Sequence, residues 1–128
     1  MIFHLALDGV MEGALGLGLD VVDTAARLLR AGLVPPQGND RTLAQKVVSH
    51  DGEPVPSVQR RAISVEGRLD LRAVKPGDVI VIPGVFATKD SSIERLLDRA
   101  DVQRVLSLLP RAAERGALIA ASCSATGN

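Results

Sequence analysis

The sequence predicts an α/β protein whose strands form a mainly parallel sheet. Continuous apolar runs alternate along the chain with stretches in which apolar residues recur every three or four positions. The continuous runs are typical of strands that are covered on both faces, and the spaced residues are typical of amphipathic helices. This alternation indicates strands that are joined by right-handed helical crossovers.

The first half of the chain predicts two strands and one helix. Residues 2–7 form the first apolar run, which ends at an Asp-Gly turn signal. Residues 34–40 have the composition of a loop, and residues 43–49 are predicted as the next strand. A helix is predicted between the first strand and this loop, and Gly32 is expected to end it. That helix carries one apolar stripe, formed by Leu15, Leu19, Val22, Ala26 and Leu29.

The second half predicts a hairpin, a central strand, two helices and a last strand. Residues 59–65 alternate between polar and apolar, which favours an exposed edge strand or hairpin. Residues 78–84 form a run rich in β-branched residues that predicts a central parallel strand with a glycine at its carboxyl end, and residues 117–122 predict the last strand. Four positions are expected to shape the helices between them: a capping box at Ser91 and Glu94, a cap at Asp101, and a break, a kink or a new turn at Pro110.

Composition excludes several classes of function. The 128 residues suffice for one domain, and 15 basic residues balance 15 acidic ones. A net charge of zero argues against a dedicated nucleic-acid surface, because phosphate binding needs a basic excess. No apolar run reaches the roughly 18 residues of a membrane span. A single cysteine and the absence of a signal peptide indicate a reducing cytoplasm.

Cys123 is the main candidate for chemistry. It follows a predicted buried strand, and small residues stand on both sides, as a sharp strand-to-helix turn requires. Such a turn lifts a nucleophile to the carboxyl edge of the sheet, where ligands of open α/β folds bind. A helix after the turn would lower the pKa of the thiol. The alternative interpretation is a buried structural cysteine.

The histidines and glycines give weaker signals. His4 lies within an apolar strand and is interpreted as a core or edge histidine, and His50 at a strand end is interpreted as a surface residue. Their spacing predicts no metal site. The sequence has no cofactor motif, and the three glycines between residues 13 and 18 are interpreted as small residues that allow close helix packing.

Several motifs together resemble the ThiJ/PfpI superfamily, which is related to the class I glutamine amidotransferases. The chain opens with DGV at residues 8–10 and continues with LGLDVVDTAARLL at residues 17–29. HDGEPV at residues 50–55 and DVIVIPG at residues 78–84 follow in order, and RGALIAASCSAT at residues 115–126 resembles a nucleophile elbow. The ordered set is similar to the GlxA-like branch, which is fused to AraC-family transcription regulators.

The resemblance implies a doubly wound, flavodoxin-like sheet with a ligand pocket around the elbow cysteine, Cys123. Gly84 and Val85 are then the loop residues that offer backbone N–H groups to a ligand oxygen, and Ser124 supplies the N–H after the nucleophile. Many relatives have two glycines where this chain has Gly84 and Val85. The function that this implies is small-molecule sensing, with the signal passed to a DNA-binding module.

An enzyme is the alternative function. Relatives with activity place an acid beside the cysteine, and Glu12 is the candidate here, with a solvated turn carboxylate as its other interpretation. In hydratase-like relatives the acid falls nearer the position of Ala14. This chain has no acid there, which weakens the case for catalysis. The alternative is a cysteine-dependent hydrolase, amidase or hydratase, and a third possibility is a redox protein that oxidises Cys123 reversibly.

The resemblance also implies what this chain lacks. Residues 1–128 are expected to be the N-terminal part of the domain, incomplete after the elbow, so that the last strand is left without its packing helix. The implied partners are a small-molecule ligand and a second copy in a homodimer. Contact with DNA is expected only through a module outside this chain.

Overall fold

A computed structural model describes residues 1–35, 43–85 and 90–122, and the side chains of all of these except residues 90–93. Four strands form one parallel sheet in the order β2-β1-β5-β6, and two short strands form a separate hairpin. The elements are β1 (Ile2–Leu5), α1 (Glu12–Arg30), β2 (Gln45–Val48), β3 (Val55–Pro56), β4 (Ala62–Ile63), β5 (Val79–Ile82), α2 (Asp90–Asp98), α3 (Ala100–Glu114) and β6 (Leu118–Ala121).

The topology confirms the predicted α/β class. Strand β1 pairs in parallel with β2 on one side and with β5 on the other, and β5 pairs in parallel with β6. This order is that of the flavodoxin-like doubly wound sheets. The strands are short, four residues each, and β1 ends two residues before the predicted end of its apolar run.

Helices cover the two faces of the sheet and bury a separate cluster on each. On one face, Phe3, Leu5 and Ile80 pack with Val102 and Val105 of α3. On the other face, the smaller cluster joins α1 to the segment after β1 and to the hairpin, through Ala6, Val10, Leu15 and Val55. Strand β2 lies on one side of β1 and β6 lies on the opposite side of β5, so right-handed crossovers place α1 and α3 on opposite faces of the sheet.

The hairpin prediction is confirmed in outline, but its second strand is shorter than predicted. Val55 pairs with Ile63 and Pro56 with Ala62, so β4 covers only residues 62–63 of the predicted 59–65. The turn absorbs the rest, because the Ser57 N–H donates to the Arg61 carbonyl at 2.8 Å. The hairpin is also not an edge strand of the main sheet.

Helix α1 ends where the sequence predicts. Gly32 has a φ of +72°, the left-handed conformation that glycine adopts without strain. Its N–H donates to the Leu29 carbonyl at 3.1 Å, and the Leu33 N–H donates to the Leu28 carbonyl at 3.0 Å. These bonds satisfy carbonyls that the last turn leaves free. The predicted loop at residues 34–40 lies almost wholly outside the described residues.

Helix α3 corrects the predicted cap at Asp101 and the predicted break or new turn at Pro110. It begins at Ala100 with Arg99 as its N-cap, so Asp101 lies in the first turn and does not cap the helix. Pro110 neither breaks the helix nor starts a new one, since α3 runs through it to Glu114. Proline removes one N–H donor, but Val105 and Ala112 are buried on either side and hold the helix against the sheet.

Helix α2 and strand β6 can be compared with their predicted bounds in the same way. Helix α2 already includes Asp90, one residue before the predicted cap at Ser91, and the capping-box prediction lies outside the described side chains. Strand β6 lies within the predicted range. All four of its residues are exposed, and Leu118 keeps 66% of its surface in contact with solvent.

Candidate functional site at the carboxyl edge of the sheet

The carboxyl ends of β1, β5 and β6 meet at one edge of the sheet. Strands β1 and β5 are adjacent, and the helices that follow them lie on opposite faces. The two strand ends therefore form the topological switch point, where ligands of doubly wound sheets bind. Three segments line this edge: residues 6–12 after β1, residues 83–85 after β5, and Ser122 after β6.

Gly84 forms backbone hydrogen bonds to both of the other segments. Its carbonyl accepts the N–H of Met11 at 2.9 Å, and its own N–H donates to Ser122 Oγ at 2.9 Å. Val85 forms an antiparallel bridge with Val10, which is fully buried. The backbone of this loop is consequently fixed on both sides. A ligand oxygen that takes the Gly84 N–H must displace the hydroxyl of Ser122.

Glu12 stands at the start of α1, on the same edge. Its Oε2 lies 3.6 Å from Nε of Arg61, which is too long for a hydrogen bond but close enough for an ion pair. The same oxygen is buried and has no hydrogen-bond partner among the described residues. Glu12 is therefore a partly desolvated carboxyl group with spare acceptor capacity that faces the Arg61 guanidinium.

The hairpin turn supplies that cation and a second one. Arg60 Nη1 lies 3.6 Å from Oδ1 of Asp8, and Arg60 itself has a φ of +64°. The turn is held in place by backbone bonds to the segment after β1: the Gly9 N–H donates to Pro56, and the Val58 N–H donates to Val10, both at 2.9 Å. One guanidinium group thus lies beside Glu12 at the start of α1, and the other lies beside Asp8 in the turn after β1.

A cavity of about 480 Å³ opens beside this edge, between α1 and β5. Ser122 forms part of its wall, and the cavity is otherwise apolar apart from His4. Its size and lining match those of small-molecule sites, which combine apolar walls with a few polar groups. The wall is formed by His4, Ala14, Leu17, Gly18, Val21, Val22, Val81, Pro83 and Ser122.

His4 is a core histidine, as predicted. It is 1% exposed and lies on an inner strand, where its Nε2 is 2.8 Å from Oε1 of Gln45. The Gln45 amide donates its own N–H to the Leu19 carbonyl at 3.2 Å, so Oε1 is the acceptor and His4 Nε2 is the donor. His50 is half-buried, and its Nε2 is 3.7 Å from Oδ2 of Asp51.

Asp101 supports the edge from the α3 side. It accepts a bidentate pair of hydrogen bonds from Arg99, at 2.9 and 2.7 Å. Burial favours the neutral acid, but the hydrogen bond and charge of Arg99, with the backbone N–H groups of Val102 and Asp8, outweigh burial and hold the pKa below its ordinary value of 3.8. The carboxylate therefore links the start of α3 to the turn after β1.

The structure places some of the predicted site residues at this edge. Glu12, Gly84 and Val85 lie there together, whereas Cys123 and Ser124 lie outside the described residues. Sequence reasoning missed Ser122 and Arg61. The sequence could have indicated Ser122, because it directly precedes the elbow cysteine. No local sequence pattern indicates Arg61, because its ion pair with Glu12 depends on how the hairpin folds back.

The remaining features of the structure and the comparisons with known proteins do not show which family the chain belongs to. Within residues 1–35, 43–85 and 90–122, no cluster of three or more His, Cys, Asp or Glu side chains is arranged to hold a metal ion. None of the helices in this part of the chain is long and apolar enough to cross a membrane. No protein-family model matches the sequence, and no curated protein resembles it closely enough to count as a match.

Proposed function

We propose that this chain is a ligand-sensing domain of the ThiJ/PfpI type, of the branch that is fused to AraC-family transcription regulators. The observation that carries the proposal is the apolar cavity of about 480 Å³ whose wall includes Ser122, the residue directly before Cys123. A sensor needs a site that binds a small molecule reversibly. This cavity is large enough for one and lies at the switch point of the sheet.

The resemblance of the motifs supplies the rest of the proposal. A sensor of this type works in the cytoplasm as a homodimer and passes its signal to a DNA-binding module. The zero net charge of the chain fits a domain that binds a ligand and leaves contact with DNA to another module. Ala14, at the position where hydratase-like relatives carry an acid, favours binding over catalysis.

The first experiment tests the cavity with indole, an apolar aromatic molecule of suitable size. Indole is titrated into the 13C-methyl-labelled protein, and the methyl signals of Val22 and Val81, both in the cavity wall, are followed by NMR. We expect selective shifts of these two signals and a Kd of about 1 mM or tighter. No shift at either valine would refute ligand binding in this cavity.

Two matched variants locate the binding site. Ala14→Phe places a ring in the cavity, and we expect it to weaken binding of indole at least about ten-fold. Gly13→Phe adds the same ring at the neighbouring, exposed position, where a Cβ meets no atom within 4 Å, and should leave the affinity unchanged. Equal effects of the two variants would place indole elsewhere on the protein.

The enzyme is kept as a second candidate because of Glu12. A partly buried carboxylate oxygen without a hydrogen-bond partner among the described residues is a suitable proton acceptor for a thiol. In this reaction class the Cys123 thiolate attacks the substrate, and the carboxyl group of Glu12 holds the transferred proton. Ala14 and the ion pair of Glu12 with Arg61 make this the weaker candidate.

Thiol chemistry separates the two functions. The rate at which iodoacetamide alkylates Cys123 is measured against pH, for the native protein and for Glu12→Gln. The enzyme predicts a pKa of the thiol clearly below about 8.5 and a change of that pKa in Glu12→Gln, but not in the control Glu53→Gln, whose side chain is exposed. The sensor predicts an ordinary or raised thiol pKa that both variants leave unchanged.

A further inference from the structure

The wall of the cavity between α1 and β5 contains a buried nitrogen atom whose hydrogen bond is not made. Nδ1 of His4 is buried and has no hydrogen-bond partner among the described residues. The other ring nitrogen, Nε2, donates to Oε1 of Gln45, whose amide group in turn donates to the Leu19 carbonyl. A neutral imidazole carries one proton, and with that proton on Nε2 the atom Nδ1 is a hydrogen-bond acceptor.

The free edge of the His4 ring faces Gly18 of α1. A Cβ built on Gly18 would lie 3.5 Å from both Nδ1 and Cε1 of His4, and within 4 Å it would meet no other element of the described chain. Gly18 lines the same cavity. Because glycine has no side chain, it leaves this edge of the ring uncovered, whereas a larger residue would extend over Nδ1.

Ser122 is the other polar side chain in the described wall of the cavity, and its hydroxyl group is already used. It accepts the N–H of Gly84 at 2.9 Å and donates a long hydrogen bond of 3.4 Å to the Ile82 carbonyl. None of the nine described wall residues has a charged side chain. The described wall therefore presents an apolar surface with one unsatisfied acceptor, and it offers no cation to an anionic ligand.

We propose that Nδ1 of His4 determines the specificity of this cavity, which takes a neutral, largely apolar ligand with one N–H or O–H donor. Nitrogen heteroaromatics and phenols belong to this class. The ligand donates its hydrogen bond to Nδ1 while its apolar body packs against Val22 and Val81. This inference rests on the proposed small-molecule site and names the class of ligand that the site takes.

Burial makes this hydrogen bond selective. His4 is 1% exposed, so water has little access to Nδ1 in the free protein and the desolvation of this acceptor is uncompensated. A ligand donor supplies the missing bond, whereas a ligand of the same shape without a donor leaves Nδ1 unpaired. A carboxylate is disfavoured further, because it would lose its hydration in an apolar cavity and bring its charge towards the lone pair of Nδ1.

Two probe molecules of the same shape test the proposal. Indole has an N–H group where benzofuran has an ether oxygen, which can only accept a hydrogen bond. Each probe is titrated into the native protein, and its Kd is obtained from the methyl signals of Val22 and Val81. We expect indole to bind at least about five-fold more tightly than benzofuran.

The titrations separate this inference from the proposed function on which it rests. If both probes shift the signals of Val22 and Val81 with equal affinity, the small-molecule site stands and the role of His4 is wrong. If neither probe shifts these signals, the small-molecule site and the role of His4 both fail.

The 15N resonance of Nδ1 reports the hydrogen bond directly. The signal of an acceptor nitrogen in imidazole moves upfield when that nitrogen accepts a hydrogen bond, and we expect this movement with indole but not with benzofuran. The sequence has two histidines, and His50 is not among the wall residues, so its ring signals are the internal control. An unchanged Nδ1 signal in protein saturated with indole would refute the proposal.

Gly18→Ala and Gly16→Ala are a matched pair of variants in α1. Each adds one methyl group, but the methyl at position 18 lies 3.5 Å from Nδ1 of His4, whereas the methyl at position 16 meets no atom within 4 Å. We expect Gly18→Ala to reduce the preference for indole over benzofuran to less than about two-fold, because the methyl covers the acceptor, and Gly16→Ala to keep the native preference. Equal preferences in the two variants would mean that the donor does not reach Nδ1 past Gly18, and the proposal would be wrong.

Discussion

Gly116 lies directly against Pro76, and together they join two turns at the amino edge of the sheet. A Cβ added at Gly116 would lie 2.8 Å from Cα of Pro76, and Gly116 has a φ of +95°. The Gly77 N–H donates to the Gly116 carbonyl at 3.0 Å. The turn that ends α3 and the turn that begins β5 are thereby held together, which fixes where β6 enters the sheet beside β5.

Gly116→Ala is expected to destabilise the protein by about 2–4 kcal/mol, because the methyl group meets Cα and the rigid ring of Pro76, neither of which can swing aside. Urea denaturation monitored by circular dichroism measures the free energy of unfolding. Gly32→Ala is the matched control: its φ is +72° but no atom lies within 4 Å of the added Cβ, so only backbone strain of about 1 kcal/mol is expected. Equal losses in the two variants would show that the contact with Pro76 has no energetic weight.

A buried hydrogen-bond chain from His4 through Gln45 to the Leu19 carbonyl connects β1 and β2 to α1. Gln45→Met removes both bonds and leaves His4, which is 1% exposed, without the partner of its Nε2. We expect a loss of about 2–3 kcal/mol in the free energy of unfolding, since an unpaired buried donor costs its full desolvation. Gln59→Met, in the exposed hairpin turn, is the control and should change stability by less than about 0.5 kcal/mol.

A double-mutant cycle identifies the cause of that loss. His4→Phe removes the polar ring that Gln45 satisfies, so Gln45→Met should cost about 1 kcal/mol less in the His4→Phe background than in the native one. Purely additive losses would mean that Gln45 stabilises the protein only through its bond to Leu19. The cycle uses denaturation midpoints from the same urea experiment.

The predictability of the fold differs between local and long-range features. The strands, α1 and its end at Gly32 follow from residue patterns, because apolar periodicity and a left-handed glycine are local properties. Asp101 was predicted as a cap because it precedes an apolar run, but its carboxylate pairs with Arg99, and that bidentate contact occurs inside the first turn. The tolerance of Pro110 depends on the burial of Val105 and Ala112, which the sequence of α3 alone does not specify.

The residues of the candidate site also divide into those that the sequence indicates and those that depend on the tertiary structure. The family resemblance implied Glu12, Gly84 and Val85 as site residues, and the parallel topology brings them to one edge, because each follows the carboxyl end of a neighbouring strand. Arg61 comes from a hairpin turn that folds over the edge, so its ion pair with Glu12 depends on a tertiary arrangement. The reactivity of Cys123 remains a prediction from the sequence.

Asp101 makes the stability of the protein depend on pH in the acid range. Its pKa in the folded state is below 3.8: burial opposes this shift, but the hydrogen bond and charge of Arg99 outweigh burial. A lowered pKa means that ionised Asp101 stabilises the folded state at any pH above its ordinary pKa. This contribution is lost as the pH falls through the lowered folded pKa, because the protonated carboxyl can no longer pair with Arg99.

Asp101→Asn is therefore expected to lower the free energy of unfolding by about 1–2 kcal/mol near neutral pH, where the native carboxylate is ionised. The difference between the native protein and the variant should shrink as the pH falls from 3.8 through the lowered folded pKa, since the native carboxyl group takes up its proton over this range. Urea denaturation between about pH 7 and about pH 2.5 measures it. Asp20→Asn, on the exposed side of α1, controls for the general loss of a carboxylate. A difference that stays constant over the whole range would mean that Asp101 acts by packing alone and that its ion pair with Arg99 adds nothing to stability.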